Sequence, residues 1–213
     1  MEGEEAMTSK EKILSKLKEN SEALKKSVMI ADEFEMPDFK KISPVCYEDS
    51  LEKFIENAKK ISGARVEELK ESQDINELIR QVYPAANIIA SSLNNITSDI
   101  NPDLIENAKE LMKVGVGVVK GSFGVAENGC VWIPQTMKER AVCFASEYLV
   151  ILLDKKEIVN NMHEAYDIIE KKPEYFEPYK FGTFISGPSK TADIESALVY
   201  GAQAARGVTL ILL

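Results

Sequence analysis

The segment FISGPSKTADIE, Phe184 to Glu195, gathers Ser189, Lys190, Thr191, Asp193 and Glu195 directly behind an apolar run and a Gly187-Pro188 break. Hydroxyls and a cation there suit recognition of a small anion, because α/β folds bind ligands at the carboxyl ends of their strands. The segment ends like a phosphate loop. However, G-x-x-x-x-G-K-[ST] needs glycine at positions 184 and 189, and these hold Phe184 and Ser189. A nucleotide P-loop is therefore excluded. A structural reading stands beside the functional one. In it Gly187 and Pro188 turn the chain out of a strand, Thr191 caps a helix starting near Ala192, and Asp193 and Glu195 complement that helix's positive end. The two acids oppose an anion, so a ligand site needs Lys190 and the Ser189 and Thr191 hydroxyls to outweigh them.

A second constellation is GVAENGC, Gly124 to Cys130. E-N-G between apolar runs reads as a hairpin turn, with Asn128 and Gly129 at positive φ and Glu127 solvated. The functional alternatives make Glu127 a ligand contact or a nucleophile, since a carboxylate can form an anhydride and then a thioester, dividing one hard exchange into easier steps. Both turns follow predicted strands, which places them on one cleft as an expectation. Lys190 would meet a carboxylate or phosphate, Ser189 and Thr191 would donate to it, and Glu127 and Asn128 would face it across the cleft. Lys120 beside Ser122 either faces an anion or is a solvated turn lysine. GVGVVKG lacks the G-x-G-x-x-G spacing of a dinucleotide site.

These residues must be held by a chain of 213 residues, 45% hydrophobic, which is enough for one full core with a small appendage. The net charge of −9 is spread along the length without a basic stripe, which argues against nucleic acid and against an anionic membrane surface. The acidic, helical N-terminus is unlike a signal peptide, and the longest apolar run, YLVILL, is too short to span a bilayer. A soluble, cytoplasmic protein without membrane insertion is expected. Cys46, Cys130 and Cys143 form no C-x-x-C pair, which argues against a disulfide framework, a zinc site or a self-contained iron–sulfur cluster. They read as three buried thiols, and no metal or cofactor is assigned. His163, the single histidine, reads as a surface or boundary residue of a helix.

Apolar periodicity orders the rest. Ile13, Leu14, Leu17 and Leu24 predict a helical N-terminal arm, and Pro37 and Pro44 an extended linker behind it, so that residues 1–45 precede an α/β domain over 46–213. Leu51, Phe54, Ile55 and Ala58 predict a helix closed by Gly63. ARVEEL reads as a strand, DINELIRQVY as a helix started by Asp74, ANIIASS as a buried strand, and NPDLIENAKELMK as a helix with Asn101 at its N-cap and Pro102 just inside. The Val/Gly-rich stretch 114–134 predicts two or three strands joined by tight turns at Lys120–Ser122 and E-N-G. Trp132 and Phe123 are expected to pack on the sheet, and Tyr175, Phe176, Tyr179 and Phe181 to form an aromatic loop. YLVILL and GVTLILL are apolar enough to be inner strands of a mostly parallel sheet, flanked by helices such as EIVNNMHEAYDIIEKK.

GPSKTADIESALVYG, followed by Arg206 and a closing apolar strand, resembles the C-terminal signature of the LUD domain, the lactate utilisation protein C family, and GVAENGC sits where that family shows A-E-T-G-[ST]. The resemblance implies a layered α/β fold like that of NagB, RpiA and the CoA transferases. It also implies a part in oxidising L-lactate to pyruvate alongside separate iron–sulfur subunits, with a small anionic ligand or a partner protein bound. The family often carries a histidine before the apolar strand and another near the end, where this chain has Tyr148 and Gln203, so histidine acid–base chemistry is not expected. AENG also resembles the S-E-N-G motif of family I CoA transferases, whose Glu is the nucleophile. That leaves as the alternative an acyl-transferring or sugar-phosphate enzyme using Glu127, with a homodimer supplying part of the missing second domain.

Overall fold

The computed structural model describes residues 8–27, 43–172, 178–194 and 197–213. The chain divides into two units, Met1–Ser43 and Pro44–Leu213. In the first, α1 (Ser9–Ser27) leaves Ile13, Leu14 and Leu17 exposed. The linker expected around Pro37 lies outside the described residues, as do Tyr175, Phe176 and Glu195. None of the described helices is long and apolar enough to cross a membrane.

The second unit opens with α2 (Ser50–Asn57), a π-helical turn (Ala58–Ser62), β1 (Arg65–Glu68), α3 (Ile75–Val82), β2 (Ile89–Ala90) and a 3-10 helix (Ala108–Lys113). It continues through β3 (Val116–Lys120), β4 (Phe123–Val125), β5 (Cys130–Pro134), α4 (Val142–Ala145), β6 (Tyr148–Leu153), β7 (Ile158–Val159) and α5 (Met162–Lys171). β8 (Gly182–Ile185), β9 (Lys190–Ile194), β10 (Ala197–Tyr200) and β11 (Gly207–Leu212) complete it.

The central sheet has the order β1-β11-β6-β3-β2, and every neighbouring pair is parallel. β6 and β11 are interior strands, as their unbroken apolar runs require. Leu149, Ile151, Leu153, Leu210 and Leu212 join the core on one face, while Val150, Leu152 and Ile211 join the core on the other. That alternation is the pleat of a strand covered on both sides. Each such side chain contributes about 1.5–3 kcal/mol on burial. The local start signals of two helices also hold. Asp74 accepts the N–H groups of Asn76 and Glu77 at 2.6 and 3.2 Å, and Gly63, at φ 76°, ends the helix that begins after Asp49.

A smaller sheet, β7-β4-β5-β8, packs Phe123, Val125, Cys130 and Trp132 against Ala165 and Ile169 of α5. Lys120–Ser122 is therefore a crossing between sheets, not a hairpin turn. Gly121 N–H still donates to Leu152 O in the first sheet, whereas Ser122 N–H donates to Trp132 O in the second, both at 2.9 Å. E-N-G does close the β4–β5 hairpin, but only Gly129 has positive φ, at 68°, and Asn128 does not.

Four further expectations are corrected. The helix from Ala192 is replaced by an antiparallel hairpin, β9 with β10, that pairs Lys190 with Tyr200 and Thr191 with Val199, so Thr191 caps no helix there. Its base is fixed by the Gly201 N–H donating to Ser189 O at 3.0 Å, a contact between residues too far apart for a helical pattern to reveal. Asn101 holds only a turn, its Oδ1 accepting Asp103 N–H at 2.9 Å, and the 3-10 helix starts at Asn107 in a capping box with Glu110. The strand in ANIIASS shrinks to two residues at the sheet's edge. Cys130 and Cys143 are buried but Cys46 is exposed.

Candidate functional site

Ser62, the last residue of the π-helical turn, ties the two sequence constellations to one place. Its hydroxyl donates to Asn128 O at 2.9 Å and lies 2.8 Å from Ser186 Oγ, while its carbonyl oxygen accepts from Lys190 Nζ. Gly187, at φ 66°, presses so close to that carbonyl that a Cβ there would overlap it. From the same helix, Asn57 Nδ2 donates to Ala126 O at 2.7 Å and to Glu127 O at 3.2 Å. The E-N-G turn and the G-P-S-K segment are thus both fastened to the turn Ala58–Ser62.

Their polar side chains are largely engaged. The Glu127 carboxylate accepts Met162 N–H at 2.9 Å, at the positive end of α5, and Asn128 Oδ1 accepts Cys130 N–H at 3.1 Å. Ser189 contributes through its backbone, its N–H donating to Ala205 O at 2.9 Å. Thr191 is half-buried in β9, and the side chain of Asp193 lies outside the described residues. Three cavities of the domain are lined by none of these residues.

Two of them adjoin at the amino ends of β6 and β11. One, of about 390 Å³, is lined by Phe144, Ser146, Glu147, Gln203 and Arg206 among others. Its neighbour, of about 340 Å³, is lined by Tyr83, Lys113, Glu147 and Tyr148, so Glu147 borders both. Arg206 Nη1 donates to Glu147 Oε1 at 2.9 Å, and the guanidinium stands 5.6 Å from the centre of the Tyr148 ring. Tyr148 packs on Tyr83 at 4.6 Å, and the Tyr83 hydroxyl meets Thr209 Oγ1 at 2.7 Å. Burial pushes the Tyr83 phenol above its usual value, so it stays a neutral hydrogen-bonding group.

The parallel register explains the meeting. Gly207 stands opposite Tyr148, so the residues just before two strands far apart in sequence become neighbours. The signature segment holds this edge: Ser189 bonds to Ala205 and Gly201, and the loop 201–206 between those bonds lines the first cavity. Tyr148 and Gln203, the positions at which the resemblance leads one to expect histidine, line adjoining cavities.

A family model, the LUD domain, matches residues 51–213. The chain belongs to the LUD domain family. Among solved structures it is similar to a DUF162 family protein from Deinococcus radiodurans, with a TM-score of 0.58 and 13% identity, covering 79% of this chain and 99% of that one. At that identity the likeness speaks for the fold. No curated protein matches the chain.

In this LUD domain the sequence pointed to the signature but not to the cavity it supports. In the sequence Arg206 stands out only as the residue that follows the signature before the last apolar strand, Tyr148 only as the first residue of YLVILL where the family often has histidine, and Glu147 carries no signal. The Arg206–Glu147 pair is exposed on both sides, and such pairs contribute about 0–1 kcal/mol. The planar guanidinium fork is the side-chain group suited to pairing with a carboxylate. Among the described residues no group of three or more His, Cys, Asp or Glu could hold a metal ion.

Proposed function

We propose that this LUD domain protein is a cytoplasmic component of an L-lactate-oxidising system, working with separate iron–sulfur subunits and binding a small carboxylate at the Arg206 cavity. The observation that carries the reading is the family match over 51–213, whose signature segment holds the loop presenting Arg206 and Gln203. Oxidation of a 2-hydroxy acid to a 2-oxo acid removes two electrons and two protons, so an electron acceptor is required. The scattered cysteines, two of them buried, suit no cluster within this chain, and the iron–sulfur subunits are assigned that role. The part of this chain is recognition. Arg206 takes the ligand carboxylate, the Gln203 amide adds a donor, and Phe144 supplies an apolar wall. Acyl transfer through Glu127 gains no support from the geometry, because that carboxylate already caps α5.

The test is genetic and biochemical. Deletion of the gene in its native host is expected to abolish growth on L-lactate while sparing growth on pyruvate, with full restoration by the wild-type gene and weak restoration by Arg206→Ala. A tagged copy is expected to co-purify cysteine-rich iron–sulfur proteins from lactate-grown cells. Normal growth of the deletion strain on L-lactate would refute the proposal.

A further inference from the structure

The opposite end of the same strands carries a separate cavity, about 20 Å from the Arg206 edge by the rise of β6 along its six residues. It measures about 460 Å³ and is lined by Lys120, Ser122, Thr136, Asp154 and Glu157, with Leu93 and Pro134 among its apolar walls. Lys120 ends β3, Asp154 follows β6, and these strands are adjacent interior members of the parallel sheet. This is the carboxyl-end position at which such sheets bind ligands.

The cavity's frame is fixed while its functional groups are uncommitted. Backbone bonds from Gly121 to Leu152, Ser122 to Trp132, Glu157 to Asp154 and Gly124 to Glu157, all 2.8 to 3.0 Å, hold the crossing segment and the turn after β6. Asp154 Oδ1 accepts Lys156 N–H at 2.9 Å, leaving Oδ2 for another donor. Lys120 Nζ, Ser122 Oγ, Thr136 Oγ1 and the Glu157 carboxylate bond to none of the described residues.

The inventory selects a ligand. One ammonium matches one carboxylate. Two carboxylates in the same wall disfavour a doubly charged phosphate but accept hydrogen bonds from hydroxyl groups, and Ser122 and Thr136 can donate or accept. The volume falls within the range of ordinary ligand pockets. We propose that this cavity binds a polyhydroxylated monocarboxylate, a sugar acid of the size of gluconate or galacturonate, with Lys120 on its carboxylate and Asp154 and Glu157 on its hydroxyls.

Calorimetric titration and thermal shift of the full chain at low salt test the assignment, with gluconate, galacturonate, glucose, L-lactate and glucose 6-phosphate as probes. At least one sugar acid is expected to bind saturably and raise the melting temperature, with glucose and glucose 6-phosphate at least about tenfold weaker and with L-lactate, assigned to the Arg206 cavity, unable to displace it. Lys120→Met should weaken that binding about tenfold or more, since it removes a charge-assisted contact, and Glu157→Gln should weaken it less. Arg206→Ala should leave it unchanged, which separates this site from the one proposed for lactate oxidation. The inference is overturned if neither sugar acid binds, if glucose 6-phosphate binds as tightly, if L-lactate displaces the bound sugar acid at comparable concentration, or if folded Lys120→Met keeps wild-type affinity.

Discussion

Gly187 carries the steepest demand of any single residue at the signature. Its φ of 66° lies in the left-handed region, and an added Cβ would strike the Ser62 carbonyl oxygen, a backbone atom that cannot rotate aside. Gly187→Ala is expected to destabilise the protein by about 3 kcal/mol in urea unfolding, and a loss below about 1 kcal/mol would mean the segment can move off Ser62. Glu56 makes a different kind of contribution. Hydrogen bonds and charge from Lys53 and Lys60 lower its carboxyl from 4.5 to about 2. A depressed folded pKa gives stability that is present above the unfolded value and disappears as pH falls through the folded one. Wild type should therefore melt higher than Glu56→Gln above pH 4.5, with the gap closing toward pH 2; a gap that ignores pH would remove the ion pairs as its cause. Burial pushes the thiols of Cys130 and Cys143 up to about 12, while Cys46 is exposed. A thiol reagent at pH near 8 is expected to label one cysteine in the native protein and all three after unfolding, and fast labelling of a second would show the core to be open.

Elements differ in how locally they are specified. The helix α3 is written entirely in neighbouring residues: an Asp74 cap followed by Ile75, Leu78, Ile79 and Val82 along one face. Asp74→Ala should cost about 1 kcal/mol, read from denaturant midpoints, and no loss would mean the cap is redundant. The β9–β10 hairpin depends on contacts from outside itself. Its base is closed by Gly201 on Ser189 and fixed to the domain by Ser189 on Ala205. Asn101-Pro102 misled for a related reason, since the capping box at Asn107 competes for the same helix and is better satisfied.

At the scale of the whole molecule, every buried apolar residue described belongs to Pro44–Leu213, and three clusters within it account for the core. A chain beginning at Pro44 is expected to unfold cooperatively with an unchanged melting temperature. Loss of the cooperative transition would show that the first unit is needed to complete the fold. The arrangement also separates functions in space. The loop held by the signature faces the amino ends of the parallel strands, and the Lys120 cavity faces their carboxyl ends. Two candidate sites at opposite ends of one sheet can be altered independently, because residues that far apart and without shared partners contribute additively.

The sequence by itself determined the parallel α/β plan, the inner positions of YLVILL and GVTLILL, the Asp74 and Gly63 boundaries, and the special character of GPSKTADIE. The strands and boundaries rest on short-range pattern, continuous apolar runs, caps and turns, whereas the significance of GPSKTADIE rests on its resemblance to the family signature. Only the tertiary structure decided that Glu127 caps α5, that Lys190 bonds to Ser62, and that Arg206 meets Glu147 and Tyr148 beside a cavity. The physical reason is register. A parallel sheet makes neighbours of Tyr148 and Gly207, whose separation along the chain leaves no periodic trace, and cavities open where strand ends and loops converge rather than where a motif lies.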